Sequence, residues 1–309
     1  MSFEKVAIIG LGLLGGSIGL AAQEHLPGIA TSGFDADPKV RERARERGLC
    51  ATIADDPAEA VQGADLVILC VPVGAMGSAA EAIAPGLRPD AVISDVGSSK
   101  QSIAAALSAA LPDHVVIPAH PVAGTEQSGP DAGFASLFHH RWCIITPPEH
   151  APQGKVDDLA EFWKALGSTV EIMDAQHHDM VLAVTSHIPH LIAYTIVGTA
   201  SDLEEVTRGE VIKYSAGGFR DFTRIAASDP TMWRDVFLNN KEAVLEMMDR
   251  FLTDLGMMRE AIRAGDGEMM FDQFSKTRAI RRRIIEQGQD DARPDFGRHE
   301  HDPGDNEQE

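Results

Sequence analysis

The stretch Ala119–Ser128 (AHPVAGTEQS) contains one histidine, His120, close to a proline and a glycine. The residues before it are short and β-branched, and they predict a buried strand over Val115–Pro118, after which Pro121 and Gly124 end regular structure. A histidine that follows a parallel strand lies on the edge where open α/β sheets bind ligands. Because a neutral imidazole accepts protons near pH 7, we expect His120 to be a general base, although a loop histidine that packs locally remains the alternative.

A glycine-rich turn near the amino end predicts a dinucleotide site. The apolar run Lys5–Ile9 is followed by Gly10, Gly12 and Gly15 in a G-x-G-x-x-G pattern. Gly10 permits a tight turn, Gly12 lets the backbone approach a pyrophosphate, and Gly15 lets helix and strand pack closely. The acidic Asp35 at the end of the next strand favours NAD over NADP, since it would bind the ribose hydroxyls and repel a 2′-phosphate. The expected cofactor contacts are Gly10, Gly12, Leu13, Leu14, Gly15, Asp35 and Val71.

Strand and helix patterns alternate through the first half of the chain. Further strands are expected at Asp65–Val71, Ala91–Ile93, Trp142–Thr146 and Thr169–Met173. This alternation predicts an α/β fold with a doubly wound, mostly parallel Rossmann-type sheet over residues 1–174. Ser98 follows the strand that leads to Asp95, and from the residues alone it is a plain helix N-cap.

From residue 175 the pattern changes to helices, and residues 175–288 predict an all-α dimerisation and substrate domain. A long helix over His177–Ser201 should be kinked by Pro189. His187 and His190 would share one face of it, but without a third ligand they predict no metal site. The adjacent pairs His139-His140 and His177-His178 are expected to be solvated. Another helix is expected over 231–258, and residues 289–309 predict a disordered acidic tail.

Composition excludes several classes of partner. The 309 residues include 27 basic and 47 acidic side chains, a net charge of 27 − 47 = −20, so nucleic acid and anionic membranes are not expected partners. No signal peptide and no apolar stretch near the roughly 18 residues of a membrane span are expected. The three cysteines, Cys50, Cys70 and Cys143, are far apart, which predicts free thiols in the reducing cytoplasm.

Five ordered motifs carry a resemblance to a known family. They are DVGSSK at 95–100, AHPVAGTE at 119–126, TSHIPH at 185–190, GGFRDFTR at 217–224 and SDPTMWRD at 228–235. Together they resemble the prephenate/arogenate (cyclohexadienyl) dehydrogenases of tyrosine biosynthesis, over roughly residues 5–285. The resemblance implies an NAD(P)-binding domain, a helical dimerisation domain that forms a homodimer, and an active site between them.

The resemblance also assigns roles to residues of this chain. His120 matches the catalytic histidine that binds the substrate's ring hydroxyl, and Ser98 matches a serine that contacts this hydroxyl and orients the nicotinamide. Arg224 matches the arginine that anchors a substrate carboxylate. The other expected substrate contacts are His190, Glu126, Asp221, Trp233 and Gly218, with Trp233 possible from the partner subunit.

This family oxidises a small-molecule substrate and releases CO2. The proton of the ring hydroxyl needs a base, so we expect kcat to fall as His120 is protonated below about pH 6–7. Prephenate and arogenate remain open as substrates, singly or together. A β-hydroxyacid-type dehydrogenase is a weaker alternative, because residues 177–212 contain no lysine. A non-catalytic NAD-sensing protein is the alternative from another class.

Overall fold

The computed structural model describes residues 1–125, 127–207 and 217–286. Glu126, which we expect to shape the substrate pocket, lies outside these residues. Contacts divide the chain into two compact units, Met1–Met247 and the residues from Met248 onward. The first unit contains all the strands of the described chain and the first helices after residue 174, and the predicted domain boundary at residue 174 stays a prediction.

Six parallel strands form the main sheet, in the order β3-β2-β1-β4-β5-β6. Their bounds are β1 Lys5–Ile9, β2 Ala30–Phe34, β3 Thr52–Ile53, β4 Leu66–Leu69, β5 Val92–Asp95 and β6 Val115–Val116. Val6 and Ile8 face one apolar core, and Ala7 and Ile9 face another on the opposite side of the sheet. Because both faces are buried, the strands are continuous apolar runs, as expected of a doubly wound sheet. The predicted fold class is confirmed.

Five helices accompany these strands: α1 Leu13–His25, α2 Pro38–Arg47, α3 Pro57–Val61, α4 Met76–Ile83 and α5 Gln101–Ala110. Asp37 caps α2 through the N–H of Lys39, and Pro38 occupies its first turn. Proline is well placed there, since its missing N–H would have no partner within the helix.

His120 lies in a strand of a second sheet, which corrects the expectation that it sits in a loop. Three strands form this sheet: β7 Ala119–Pro121, β8 Trp142–Ile145 and β9 Thr169–Ile172. β7 pairs antiparallel with β8, and β8 pairs parallel with β9. The prediction that the last strands complete the main sheet was therefore wrong. Apolar periodicity identifies strands but does not say which strands pair.

Between β8 and β9 lies α6 Gln153–Ala165, and one long helical stretch follows β9. It consists of α7 Ala175–Leu182, a π-helical turn over Ala183–His187 and α8 Ile188–Thr207. The π-helical turn ends two residues before Pro189, whose missing N–H leaves a carbonyl in the preceding turn without its α-helical partner. The irregularity predicted for this position is therefore present.

The same helical stretch corrects the prediction on membrane spans. Over Ala175–Asp202 it is long and apolar enough to cross a membrane, by length and composition only. Polar residues such as Thr185, His190 and Thr195 interrupt it, so the sequence shows no unbroken apolar segment. On its buried side it carries His178, Asp179 and His187.

The remaining helices are α9 Gly217–Thr223, α10 Pro230–Asn239, α11 Lys241–Ala264 and α12 Gly267–Glu286, and a 3-10 turn over Arg224–Ala227 follows α9. The single helix predicted over residues 231–258 was wrong, because α10 ends at Asn239. Asn240 leaves the helical conformation at φ −121°, and its side chain is buried. The helix breaks at Asn240 because its polar side chain is buried and forms hydrogen bonds inside the fold.

Candidate active site

The three glycines after β1 adopt the geometry that a dinucleotide site needs. Gly10 has φ +99°, and a Cβ there would lie 2.6 Å from the carbonyl oxygen of Cys70. A Cβ on Gly15 would lie 1.8 Å from the carbonyl oxygen of Gly10, whereas a Cβ on Gly12 would meet no atom within 4 Å. Gly10 and Gly15 are thus required by close packing. Gly12 faces open space, which leaves its backbone accessible to a phosphate.

The amino end of α1 fits a pyrophosphate. Its first residues, Leu13 and Leu14, are half-buried, and no side chain caps the helix at Gly12. The first N–H groups of a helix have no partner inside it, and together with the helix dipole they favour an anion. Val71 follows β4 and lies beside this turn, with a side-chain carbon 3.2 Å from the position of a Cβ on Gly10.

Asp35 lies directly after β2 and already holds the turn together. One carboxylate oxygen accepts from the N–H of Leu11 at 2.8 Å, and the other accepts from the N–H of Asp37 at 2.9 Å. A carboxylate has about four lone-pair directions, so both oxygens keep capacity for ribose hydroxyls. The glycine turn, the uncapped helix and this carboxylate together fit NAD.

His120 belongs to a buried chain of three polar side chains. It is only 8% exposed, and its Nδ1 lies 2.9 Å from Nε2 of His178. Nδ1 of His178 in turn lies 2.8 Å from Oδ1 of Asp179. The prediction that the pair His177-His178 is solvated holds for His177 and is wrong for His178, which is fully buried. Adjacent helical residues point in directions about 100° apart, so one can face the core while the other faces solvent.

Asp179 caps the amino end of α5 from another part of the chain. Its carboxylate accepts from the N–H of Lys100 at 2.6 Å and from the N–H of Gln101 at 2.9 Å. The interpretation of Ser98 as the N-cap was wrong, since the helix begins at Gln101. Ser98 is half-buried, and its hydroxyl makes no hydrogen bond within the part of the chain that the structure describes. It is therefore available to a ligand.

A buried ion pair fixes the backbone just before His120. Nζ of Lys100 lies 2.5 Å from Oδ2 of Asp95 and donates to the carbonyl oxygen of Ala119 at 2.7 Å. The other oxygen of Asp95 accepts from the N–H of Ala119 at 3.3 Å. Both charged side chains are completely buried. The sequence analysis missed this pair, although both residues are in the DVGSSK motif. Their shared contact with the backbone of Ala119 exists only in the folded protein.

His187 and His190 lie beside the aromatic ring of Trp233. His190 stacks on Trp233, with ring centroids 3.7 Å apart, and its Nδ1 donates to the carbonyl oxygen of Ser186 at 2.8 Å. His187 is fully buried, and its Nδ1 accepts from Nδ2 of Asn240 at 3.0 Å. The sequence analysis missed Asn240, which also donates to the backbone oxygen of Asp179 at 2.8 Å.

Burial keeps these imidazoles neutral. The pKa of His120 is lowered well below 6.5 by burial first, and then by the nearby His178, Lys100 and His187. Burial also lowers the pKa of His178 and brings that of His187 to about 4. A neutral His120 can accept a proton at and below neutral pH, so the acid limb of activity is expected at a lower pH than the sequence suggested.

The predicted carboxylate anchor lies on the exposed side of this cluster. Arg224 begins the 3-10 turn after α9, and its positive charge contributes to a lowered pKa of His190, for which burial is the largest cause. Asp221 is exposed on α9 and lies 3.6 Å from the guanidinium of Arg220, and Gly218 is exposed in the first turn of α9. The structure thus brings Arg224 near His190, while the substrate roles of all these residues stay predictions.

Comparisons with known proteins cover nearly the whole chain. A model of the prephenate dehydrogenase nucleotide-binding domain matches residues 18–172, and a model of the prephenate dehydrogenase dimerization domain matches residues 174–276. A cyclohexadienyl dehydrogenase of Zymomonas mobilis is 45% identical over 279 residues, 90% of this chain and 95% of that protein. A prephenate dehydrogenase of Bacillus subtilis is 32% identical over 280 residues, 90% of this chain and 75% of that protein.

Solved structures agree with these matches. The crystal structure of prephenate dehydrogenase from A. aeolicus, in complex with hydroxyphenyl propionate and NAD+, has a TM-score of 0.86 and 30% identity. The alignment covers 92% of this chain and 99% of that one. With two domain models in sequence order, a relative at 45% identity and a shared fold, this chain belongs to the prephenate dehydrogenase family.

Proposed function

We propose that the protein is an NAD-dependent oxidoreductase that converts prephenate to 4-hydroxyphenylpyruvate, arogenate to tyrosine, or both, in tyrosine biosynthesis. The observation that carries the proposal is the environment of His120. Its Nδ1 is hydrogen-bonded to His178. Its Nε2 has no hydrogen-bond partner in the described chain and is not completely buried. A buried neutral imidazole with one free nitrogen is suited to accept a proton from a substrate hydroxyl.

The reaction needs a base, a hydride acceptor and a site for the carboxylates. Bound NAD would supply the hydride acceptor for C4 of the ring, and loss of CO2 restores aromaticity once C4 is oxidised. His120 takes the proton of the C4 hydroxyl and returns it to the phenolate oxygen after CO2 has left, and Ser98, with its free hydroxyl, contacts the same substrate oxygen. Gly12, the amino end of α1 and Asp35 would hold the pyrophosphate and the ribose of NAD.

Binding of the substrate depends on local cations, because the whole protein repels an anion. The net charge is −20, and charges separated by more than about 8 Å are screened at physiological salt. Arg224 lies near His190 and can hold a carboxylate through its guanidinium donors, which need no long-range attraction. Trp233, stacked on His190, fixes the position of that ring.

We further propose that the helical domain forms a homodimer. The dimerization domain matched at residues 174–276 supports this, as do large apolar side chains that are exposed in the single chain. In the unit from Met248 onward, Ile262 is 66% exposed, Phe271 is 70% exposed and Phe274 is 58% exposed. Apolar surface of this kind is typical of an interface between subunits. The free cysteines support a cytoplasmic location.

An absorbance assay of reduced nicotinamide tests the function. Purified protein is mixed with prephenate or arogenate, each with NAD and with NADP, and turnover is followed with time. We expect turnover of at least one substrate with NAD and weaker turnover with NADP, because Asp35 repels a 2′-phosphate. Binding of NAD without turnover of either compound would contradict the proposal and favour a non-catalytic NAD-sensing protein.

A further inference from the structure

The carboxylate of Asp179 determines the direction of the hydrogen bonds that lead to His120. It accepts two backbone N–H groups at the amino end of α5, from Lys100 and Gln101. Burial raises the pKa of Asp179, but the hydrogen bond from His178 and the two N–H groups of the helix start outweigh it, so the pKa is lowered and the carboxylate is ionised. An ionised carboxylate can only accept hydrogen bonds, so the proton in its contact with His178 must lie on Nδ1 of that imidazole.

The next contact follows from the first. With its proton on Nδ1, a neutral His178 has an unprotonated Nε2, which can only accept. Nε2 of His178 lies 2.9 Å from Nδ1 of His120, so His120 must donate there from a protonated Nδ1. A neutral His120 with its proton on Nδ1 has an unprotonated Nε2, and this is the nitrogen without a partner.

We propose that Asp179 and His178 are positioning residues that hold His120 in the tautomer whose Nε2 is free to take the substrate's proton. This inference rests on the proposed function, because it assigns a task to the free nitrogen. The same carboxylate caps α5, which directly follows the loop that carries Ser98. Asp179 thus connects the two groups expected to contact the C4 hydroxyl.

The charged and titratable groups around His120 and His178 do not change which ring nitrogens carry the protons. His178, on α7, faces Asp179 on its own helix and Lys100 and Asp95 from the main sheet side, while His120 faces His178, Lys100 and His187. Burial is the largest cause of the lowered pKa of both imidazoles. A protonated His178 would donate from Nε2 to His120 and force its proton onto Nε2, so a neutral His178 is required for activity.

The tautomer of His120 can be measured without any turnover. Nitrogen-15 NMR of the full-length, histidine-labelled protein at neutral pH distinguishes a protonated Nδ1 from a protonated Nε2, and the His120→Asn variant identifies the signal by its loss. We expect His120 to carry its proton on Nδ1. A protonated Nε2 in the wild-type protein would overturn the inference. Since this experiment does not depend on prephenate oxidation, its failure is distinct from failure of the proposed function.

Two variants of His178 separate positioning from packing. His178→Gln can place a carboxamide oxygen near the former Nε2 and still accept from His120, whereas His178→Phe keeps the ring shape but provides no acceptor. We expect His178→Phe to lower kcat by at least about 10²-fold with KM changed less than about threefold, because a general base contributes about 10²–10⁴ in rate. His178→Gln should retain kcat within about tenfold of the wild type.

His177→Phe is the matched control, since the neighbouring imidazole is exposed and outside the chain of contacts. It should leave kcat and the tautomer of His120 unchanged. Equal loss of kcat in His178→Gln and His178→Phe would show that only the packing of the ring matters, and this would overturn the inference. If His178→Phe does not fold, the tautomer of His120 measured by NMR in the wild-type protein still tests the inference.

Discussion

The buried imidazole of His187 should make the protein sensitive to mild acid. Its pKa is lowered from 6.5 to about 4 by burial, while in the unfolded chain it titrates near 6.5. Between these values the unfolded state binds a proton that the folded state excludes, so the stabilisation is complete above pH 6.5 and is lost as the pH falls toward 4. From pH 7 to pH 5 this one residue should lower the free energy of unfolding by about 2 kcal/mol.

His187→Asn isolates this contribution. The asparagine oxygen can take the place of Nδ1 and accept from Asn240, but it does not titrate. The variant should be less stable than the wild type at pH 7, because it removes buried ring atoms. Only the wild type loses stability through protonation of His187 in the unfolded state. The difference in unfolding free energy between the two proteins should therefore shrink by about 2 kcal/mol at pH 5.

Urea unfolding followed by tryptophan fluorescence at pH 7, 6 and 5 measures the gap, and Trp233 beside His187 makes the signal local. The protein concentration must be equal throughout, because the stability of a dimer depends on it. A gap that stays constant from pH 7 to pH 5 would refute the assignment of a neutral, acid-sensitive His187.

Three further variants test the cofactor and substrate contacts. Gly12→Ala should leave the urea midpoint unchanged but weaken NAD binding at least about tenfold by calorimetry, because the added methyl meets no protein atom and blocks the phosphate. Gly15→Ala should lower the free energy of unfolding by about 2 kcal/mol or more, since its methyl meets the backbone oxygen of Gly10; normal stability would contradict the packing argument. Arg224→Ala should raise the KM for prephenate at least about tenfold with little change in kcat, while Arg234→Ala, an exposed arginine paired with its neighbour, should resemble the wild type. Equal KM values for both arginine variants would place the carboxylate anchor elsewhere.

The dinucleotide site could be predicted from the sequence because its requirements are local. The roles expected for Gly10, Gly12 and Gly15 follow from turn geometry and the absence of a side chain, and all three fit the structure. Asp35 is likewise identified by its position, at the end of the strand that follows the glycine motif. His120 could be singled out by its motif, but its pairing in an antiparallel strand could not, because sheet membership depends on distant residues.

The support of His120 could not be predicted for the same reason. His178 has an exposed neighbour of the same type, and nothing in the local pattern says which of the two imidazoles is buried. Asp179 caps a helix that begins 78 residues earlier in the chain, at Gln101. The side chains of Asp95 and Lys100 both form hydrogen bonds with the backbone of Ala119, the residue at which the second sheet begins. These contacts depend on the folded topology.

The pH dependence of kcat for prephenate oxidation, measured in the wild type and in His120→Asn, tests the role of His120 most directly. Because the pKa of His120 lies well below 6.5, we predict an acid limb with a midpoint below that value in the wild type. The variant should be slower by about 10²–10⁴ at the plateau and should lack this limb. A variant that turns over within about tenfold of the wild type, or that keeps the same acid limb, would contradict the assignment of His120 as the base.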